Sequence, residues 1–314
     1  MLKGALIRLA NAGPIRRMVT SHDLLREFAQ RFVAGEELGD GIAVAQALNT
    51  QGLTVSLDYL GESVRKTSEA DRAVTAYLEA LEAISRDQVE AYISLKLTQL
   101  GLDVGAEAAV VRLRRILERA RELHVFVRID MESSAYTQRT LDVHGRLWGE
   151  GFRNVGIVLQ AYLYRTAADV QRAIELQIPV RLCKGAYLEP GRVAFQSKAA
   201  VDANYAQLME QLLLRGTSPA IATHDERLIR LAHEIARREK IEAERYEFQM
   251  LFGVRRDVQL GLVRQGYRTR IYLPYGREWY PYLTRRLAER PANVGFFLRA
   301  LVQESAASRR DGQR

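Results

Sequence analysis

Five polar side chains interrupt stretches of the sequence that are otherwise rich in branched apolar residues. They are Lys96, Asp130, Gln160, Arg181 and Tyr272. Burying such groups without a ligand would cost free energy, so a polar, charge-rich binding site is the interpretation that we favour. The alternative is that the strands bulge and several of these groups reach water at the rim.

The stretch Arg-Leu-Cys-Lys-Gly-Ala-Tyr, residues 181–187, has features that suit a cofactor. Gly185 and Ala186 are small enough to let a planar ligand approach the backbone. Arg181 and Lys184 supply cations for an anionic cofactor. Further along the chain, His224 could donate a hydrogen bond to that cofactor or simply begin the next helix, and the sequence leaves both interpretations open.

Two adjacent arginines, Arg285 and Arg286, lie on a helical stretch near the end of the chain. Neighbouring helix positions diverge by about 100°, which favours a solvated basic face that continues through Arg290. The alternative is that both guanidinium groups hold a carboxylate together with Lys96. Cys183 is expected to be a small buried strand residue, because no base that could activate its thiol is evident nearby.

A metal site is not expected. The histidines, at positions 22, 124, 144, 224 and 233, show neither a His-Glu-x-x-His pair nor comparable ligand spacing.

Eight β-rich runs separated by helical patterns must position these residues. The runs are Leu53–Tyr59, Ala91–Leu97, His124–Asp130, Val155–Gln160, Pro179–Lys184, Ala220–His224, Tyr246–Leu251 and Thr269–Leu273. A capping box predicted at Ser68 and Asp71 precedes one helical stripe, which includes Val74, Tyr77 and Leu81. No Gly-x-Gly-x-x-Gly follows the first run to indicate a dinucleotide-binding half. The predicted fold class is therefore α/β, a (β/α)8 TIM-like barrel with extra N-terminal helices.

Alternation along the strands predicts which side chains enter the barrel. The apolar set of each run packs under the helices, which leaves the remaining set facing inward. That inward set is Tyr92, Ser94, Lys96, Phe126, Arg128, Asp130, Gln160, Arg181 and Tyr272. The active face of such barrels lies at the C-terminal ends of the strands, so we expect the site there.

The predicted domain organisation has three parts. Residues 1–50 form N-terminal helical additions, residues 51–303 form the barrel, and residues 304–314 form a polar, disordered tail.

Composition narrows the class of protein. The net charge of +8 would attract anionic molecules, but it is spread along the chain without an aromatic-interleaved basic stripe, so nucleic-acid binding is not expected. The single cysteine excludes an intramolecular disulfide and fits a reducing cytosol. No apolar run reaches about 18 residues, so no transmembrane helix is predicted. We expect a cytoplasmic protein and treat peripheral attachment to the inner membrane face as a hypothesis.

Seven stretches in order resemble the proline dehydrogenase family. They are Ser-Leu-Lys-Leu (94–97), Arg-Ile-Asp-Met-Glu (128–132), Leu-Gln-Ala-Tyr (159–162), residues 181–187, Ala-Thr-His-Asp (222–225), Tyr-Glu-Phe-Gln-Met-Leu-Phe-Gly (246–253) and Arg-Ile-Tyr-Leu-Pro-Tyr-Gly (270–276), followed by the arginine pair. The resemblance runs from about Leu53 to the end of the barrel. Each stretch is weak alone, but their joint order is specific.

The resemblance implies a role for each matching residue. Lys96, Arg285 and Arg286 match a clamp for the substrate carboxylate, and Tyr187 and Tyr272 match walls around the substrate ring. The positions that match contacts to the cofactor are Met131, Gln160, Lys184, Gly185, Ala186, Thr223 and His224. Asp130 and Arg181 match the catalytic centre between substrate and cofactor. Glu62 matches a gate residue that closes over the site by pairing with Arg181.

The family oxidises L-proline to 1-pyrroline-5-carboxylate with noncovalent FAD and passes the electrons to a membrane quinone. The resemblance therefore implies this activity, and the chain length implies release of the product to a separate pyrroline-5-carboxylate dehydrogenase. A bulky residue at Tyr272 resembles proline-preferring members, so poor 4-hydroxyproline turnover is expected. Oligomeric state is left open. The competing hypotheses are a flavin barrel for another cyclic or secondary amine and a non-catalytic scaffold barrel.

Overall fold

Eight parallel strands close into a barrel in the order in which they occur in the chain. A computed structural model describes residues 30–289, with side chains as far as residue 284. The strands are β1 Thr54–Tyr59, β2 Ala91–Leu95, β3 Val127–Ile129, β4 Val155–Gln160, β5 Pro179–Cys183, β6 Thr217–Ala222, β7 Glu247–Leu251 and β8 Thr269–Tyr275. β1 pairs with both β2 and β8, which closes the sheet. The predicted (β/α)8 fold is confirmed.

Within residues 30–289, a helix follows every strand, and one more helix precedes β1. The helices are α1 Leu38–Asn49, α2 Thr67–Arg86, α3 Ala106–Glu122, α4 Ser134–Gly149, α5 Thr166–Glu175, α6 Lys198–Arg215, α7 Glu226–Arg238, α8 Arg256–Arg264 and α9 Trp279–Glu289, with a 3-10 turn at Ala243–Arg245. α1 confirms an added helix before the barrel. The division at residues 50 and 303 stays a prediction, and the predicted tail lies outside the described residues.

The main core is the layer between the strands and the ring of helices. Val55, Leu95 and Ile129 on the strands are each 0% exposed, and so are Leu113 and Leu117 on α3. The helices present apolar residues at three- and four-residue spacing, which places one continuous stripe against the sheet. Alternate strand residues therefore face this apolar shell, and the others face the barrel interior.

Most predicted strand limits lie within about two residues of those in the structure, and two strand starts differ by more. The third predicted run began at His124, but β3 begins at Val127, because His124 has a φ of 55° in the turn that ends α3. The sixth predicted run began at Ala220, but β6 already begins at Thr217. Both errors lie at strand ends, where side-chain alternation carries little information.

The predicted capping box at the start of α2 is wrong. The helix begins at Thr67 with Lys66 as its N-cap residue, so Ser68 and Asp71 lie within its first turns. Lys66 makes no capping hydrogen bond with its side chain.

Candidate functional site

A pocket of about 560 Å³ opens at the C-terminal ends of the strands, which is a typical volume for a small-molecule or cofactor site. Its walls bring together most of the residues that the sequence selected. These are Lys96, Asp130, Met131, Gln160, Arg181, Lys184, Gly185, Ala186, Tyr187, Thr223, His224 and Tyr272. The predicted convergence of polar side chains at this face is therefore observed.

Arg181 lies at the centre of this convergence and is only 5% exposed. Its Nη1 donates to Asp130 Oδ1 at 2.8 Å. Its Nη2 donates to the hydroxyl oxygens of Ser56, Tyr92 and Ser94 at 3.1, 3.2 and 3.0 Å. Burial opposes the guanidinium charge, but Tyr92 and Asp130 outweigh burial and raise the pKa of Arg181 above its ordinary value. The cation is therefore retained inside the barrel.

Arg181 Nε differs from the other two nitrogens of the guanidinium group. It is buried and has no hydrogen-bond partner among the described residues. A buried donor without an acceptor costs about 1–3 kcal/mol, and native structures seldom tolerate one. Arg181 lines the pocket, so a ligand bound there would lie beside this buried cation.

Asp130 is held from two sides. Besides the bond from Arg181, the Tyr272 hydroxyl donates to Asp130 Oδ2 at 2.6 Å. Arg181 also lies over the Tyr272 ring, with its Cζ 5.3 Å from the ring centroid. Burial, followed by the charge of Asp130, raises the pKa of Tyr272 well above its ordinary value, so the phenol keeps its proton. These three residues fix one another's orientation.

Lys96 is paired with a carboxylate that the sequence reasoning did not select. Its Nζ donates to Asp58 Oδ1 and Oδ2 at 3.2 and 3.3 Å, and it lies 3.9 Å from Asp130 Oδ2. Asp58 is 0% exposed. Burial raises the pKa of Asp58 and outweighs the opposing effect of Lys96.

A signal for Asp58 was present in the sequence. In the first β-rich run Val55 and Leu57 alternate with Ser56 and Asp58, the same pattern that identified the inward face of the other strands. Applying that pattern to β1 would have placed both polar residues in the barrel interior.

Lys184, at the end of β5, lies in a cluster of charges at the pocket edge. Its Nζ contacts Asp202 on α6 at 2.5 Å and Asp225 at 3.0 Å. Asp225 is the N-cap of α7, and its side chain accepts a hydrogen bond from the backbone of Arg227. The side chain of Arg227, this backbone bond and Lys184 keep the pKa of Asp225 well below its ordinary value. Two fixed anions therefore position Lys184 beside the pocket.

Glycine is required at position 185 for two reasons. Gly185 has a φ of 111°, which other residues rarely adopt, and a Cβ there would overlap the ring of Tyr162. The backbone can therefore turn closely at the pocket wall only with glycine.

The remaining predicted cofactor residues line the pocket through different contacts. His224 Nε2 accepts a hydrogen bond from the backbone of Leu251 at 2.9 Å, which places the proton of a neutral ring on Nδ1. Gln160 Nε2 donates to the backbone oxygen of Glu132 at 2.8 Å. His224 directly precedes the N-cap of α7, so it both begins the helix and borders the pocket.

The remaining predicted residues are Glu62, Arg285, Arg286 and Cys183. Glu62 is half-buried in the loop after β1, and its closure onto Arg181 stays a prediction. Arg285 and Arg286 lie on α9, but their side chains are outside the described ones, so the carboxylate clamp also stays a prediction. Cys183 is a strand residue, as expected, but it is half-buried rather than buried, because it ends β5 where the barrel opens.

Four residues near the N-terminal ends of the strands form a second polar layer, which we name the floor cluster: Tyr92, Arg128, Glu247 and Arg270. Arg270 Nε donates to both carboxylate oxygens of Glu247 at 3.0 Å, and its Cζ lies 4.1 Å from the centroid of the Tyr92 ring. Arg128 donates to backbone oxygens of β4 and β5. The alternation of polar residues therefore continues below the pocket.

Neither a metal site nor a membrane span is found in the part of the chain that the structure describes. Within residues 30–284, no group of three or more His, Cys, Asp and Glu side chains could hold a metal ion. None of the helices from α1 to α9 combines the length and the apolar character needed to cross a bilayer.

Comparison with known proteins gives a consistent match. The family model described as proline dehydrogenase matches residues 42–299. Proline dehydrogenase 1 of Bacillus subtilis (strain 168) is 40% identical over 276 residues, which are 88% of this chain and 91% of that protein. Proline dehydrogenase of Deinococcus radiodurans is 39% identical over 279 residues, which are 88% and 90% of the two chains.

A solved structure shares the same architecture. Proline utilization A (PutA) from Bdellovibrio bacteriovorus, inactivated by N-propargylglycine, superimposes with a TM-score of 0.78 at 29% identity. The match covers 84% of this chain and 32% of that chain, so this chain spans about a third of the PutA polypeptide.

Proposed function

The chain belongs to the proline dehydrogenase family, and we propose that it oxidises L-proline to 1-pyrroline-5-carboxylate with FAD bound in the barrel pocket. The observation that carries the proposal is Arg181, a buried cation that lines this pocket and is paired there with Asp130. The family relatives support the substrate, and the resemblance of the motifs supports FAD.

The residues present fit a flavin. Arg181 brings a buried positive charge to the pocket wall, and the small Gly185 and Ala186 leave the backbone open to a planar ligand. Lys184 brings positive charge to the pocket edge, as an anionic cofactor needs. Met131, Gln160, Thr223 and His224 complete the proposed cofactor wall. When bound, FAD supplies the hydride acceptor for the reaction.

Lys96 and the arginine pair are proposed to hold the substrate carboxylate. The Asp58 ion pair fixes the Lys96 ammonium group inside the barrel, so this cation needs no reorganisation when an anion arrives. Fixing the carboxylate at one end of proline orients the ring carbon that loses hydride at the other end. Tyr187 and Tyr272 are proposed to bound the ring, and Glu62 to close over it.

Asp130 and Arg181 are proposed to act at the reacting centre. The substrate amine must be neutral for hydride to leave the adjacent carbon. Arg181 stabilises negative charge that develops on the cofactor side, because it stays charged and is preorganised by the Asp130 carboxylate and the three hydroxyls. Asp130 is oriented by its hydrogen bonds from Arg181 and Tyr272 and is proposed to lie beside the substrate.

The electrons are proposed to pass to a membrane quinone and the product to a separate pyrroline-5-carboxylate dehydrogenase. The family resemblance supports both the quinone and the separate second enzyme. The net charge of +8 supports transient attachment to an anionic membrane surface. Co-sedimentation with anionic and with neutral lipid vesicles at low salt would test that attachment.

Anaerobic addition of L-proline to the purified protein tests the activity directly. We expect a yellow protein whose flavin absorbance is bleached by L-proline and much less by 4-hydroxyproline, and whose released cofactor has the mass of FAD. Bleaching by a different cyclic or secondary amine alone would favour the runner-up substrate. A colourless protein that gains no flavin spectrum with added FAD would favour a non-catalytic barrel.

The carboxylate clamp has its own test. Arg286→Ala should weaken proline binding by about 2–5 kcal/mol, because it removes one side of a charge-assisted contact. Arg277→Ala is the matched control, since its exposed guanidinium group pairs with Glu37 at the surface. Equal proline affinity in the two variants would show that the clamp assignment is wrong.

A further inference from the structure

Tyr92 connects the floor cluster, to which it belongs, with the pocket residue Arg181, and its role so far is that of one of three hydroxyls that hold Arg181. It is 5% exposed and does not line the pocket. Its phenolic oxygen accepts hydrogen bonds from Arg181 Nη2 at 3.2 Å and from Gln249 Nε2 at 2.7 Å. Both Arg181 and Gln249 line the pocket, so Tyr92 is one residue removed from the ligand.

Three arginines surround this single phenol. Arg181 donates to its oxygen, Arg270 lies over its ring with Cζ 4.1 Å from the centroid, and Arg128 lies at 5.9 Å. A cation over an aromatic face is attracted to the electron density of the ring. The ring that attracts Arg270 and Arg128 and the oxygen that accepts from Arg181 therefore belong to one conjugated phenol.

The position of Tyr92 is fixed from both ends. Gln249, which holds its oxygen, is itself held by Glu247 Oε1 at 2.5 Å. The ring packs edge-to-face against Phe126 with centroids 5.4 Å apart. Arg270 is locked by Glu247 and by the backbone oxygen of Val55. Tyr92 is thus a rigid acceptor, whereas a surface side chain would be free to follow a moving guanidinium group.

We propose that Tyr92 is a positioning residue for Arg181. The Tyr92 oxygen offsets part of the positive charge that Arg181 presents to the flavin, and it thereby lowers the flavin's midpoint potential. The proposal rests on the proposed function, because it needs a flavin beside Arg181. An electron-rich oxygen at 3.2 Å offsets part of the guanidinium charge in a site where water does not screen it. When the charge on Arg181 is partly offset, the reduced, electron-rich flavin is stabilised less.

The charges around Tyr92 also make this effect depend on pH. The charged groups that face it are Arg181, Arg128 and Arg270 and, with the opposite sign, Glu247. Burial opposes ionisation of the phenol, but the arginines outweigh it and lower the pKa of Tyr92 below its ordinary value. Ionisation at alkaline pH would add a full negative charge beside Arg181 and would lower the midpoint potential further.

Reductive titration of the FAD-loaded protein with dithionite tests the proposal through the flavin midpoint potential. Tyr92→Phe keeps the ring over Arg270 and removes only the oxygen. We expect the midpoint potential to rise relative to wild type and its alkaline fall to become shallower, while the KM for L-proline stays within about twofold. Tyr275→Phe is the control, because it removes a buried phenolic oxygen that has no hydrogen-bond partner among the described residues.

The outcomes separate the role of Tyr92 from the proposed function. A Tyr92→Phe potential and pH slope equal to those of Tyr275→Phe would overturn the proposal, as would a changed KM with an unchanged potential. If Tyr92→Phe does not fold, the wild-type titration decides, since the proposal requires an extra alkaline fall in its potential. Because dithionite replaces proline, only a wild-type protein that takes up no flavin would contradict the proposed function instead.

Discussion

The two faces of the same eight strands have opposite compositions. The outer face, with residues such as Val55, Leu95 and Ile129, packs entirely in the apolar shell under the helices. The inner face, which in most barrels of this class is filled by branched apolar side chains, carries charges and hydroxyls from the floor cluster up to the pocket. The outer face of the strands therefore stabilises the fold, and the inner face carries the residues of the candidate site.

The inner face is not uniform. In the floor cluster the charges of Glu247 and Arg270 neutralise each other within the protein. In the pocket, Arg181 pairs with Asp130 but also lines a volume that a ligand can enter. Because the Glu247–Arg270 pair is buried and does not line that volume, we assign support to the lower layer and binding to the upper one.

Removal of a floor carboxylate should give the largest effect. Glu247→Ala leaves Arg270 buried without its partner, and breaking a buried pair costs about 3–5 kcal/mol. Urea unfolding should show this loss of stability. Glu244→Ala, a change at an exposed position in the preceding turn, is the control and should be nearly neutral. A loss below about 1 kcal/mol at Glu247 would mean that water enters the floor, and the contrast between the two layers would fail.

Truncation of the apolar shell comes next. Leu95 is 0% exposed, and a buried Leu→Ala change costs about 2–5 kcal/mol through lost burial and the cavity that remains. We expect Leu95→Ala to lower the urea midpoint while the KM for L-proline changes little, because the side chain faces away from the pocket. Val111→Ala, at an exposed position on α3, is the control. A large KM change with normal stability would break the division of roles between the faces.

Side-chain alternation made this division predictable from the sequence. A period of two in a strand fixes the face of every residue once one apolar set is assigned, so the sequence alone places Lys96, Asp130 and Arg181 inside the barrel. Asp58 obeys the same rule but was missed, because the rule was not applied to the first strand. The floor cluster was predicted only in part, through Tyr92 and Arg128.

Pairings across the barrel could not be predicted in the same way. Alternation gives the face of Lys96 but not its distance from Asp58, which depends on strand register and barrel closure. Asp202 could not be paired with Lys184 from the sequence, because a helix on the outside of the barrel brings it there. Strand ends such as His124 were misplaced because a single left-handed residue ends the preceding helix.

A histidine on the outer side of the barrel tests whether the apolar shell excludes charge. His144 on α4 is 1% exposed and stacks on Trp148. Burial, with smaller effects of Arg128 and Arg153, lowers the pKa of His144 from 6.5 to about 4. His144 therefore binds a proton below pH 6.5 in the unfolded chain but only below about pH 4 in the folded chain. As the pH falls from 6.5 to about 4, the free energy of unfolding decreases.

The loss from His144 should be on the order of 3 kcal/mol, since each pKa unit corresponds to about 1.4 kcal/mol. Urea unfolding at a series of pH values would measure it. His144→Phe keeps a ring against Trp148 and removes the titration, so its stability should fall less between the two pKa values than that of wild type. Parallel curves for the two proteins would show that His144 is protonated in the folded shell.

The smallest effect is expected from a hydroxyl in the pocket, and it should appear in catalysis rather than in folding. The Tyr272 hydroxyl donates to Asp130 at 2.6 Å, and a hydrogen bond to a charged group contributes about 1.5–3 kcal/mol. Tyr272→Phe should therefore lower kcat/KM for L-proline by roughly tenfold or more.

The same strand supplies the control for this change. The buried Tyr275 hydroxyl has no hydrogen-bond partner among the described residues, so Tyr275→Phe should leave both activity and stability nearly unchanged. If Tyr272→Phe lowers stability and leaves kcat/KM at the level of Tyr275→Phe, then Tyr272 belongs with the supporting floor. The boundary between supporting and binding layers would then lie above Tyr272, because a residue that binds substrate affects turnover more than folding.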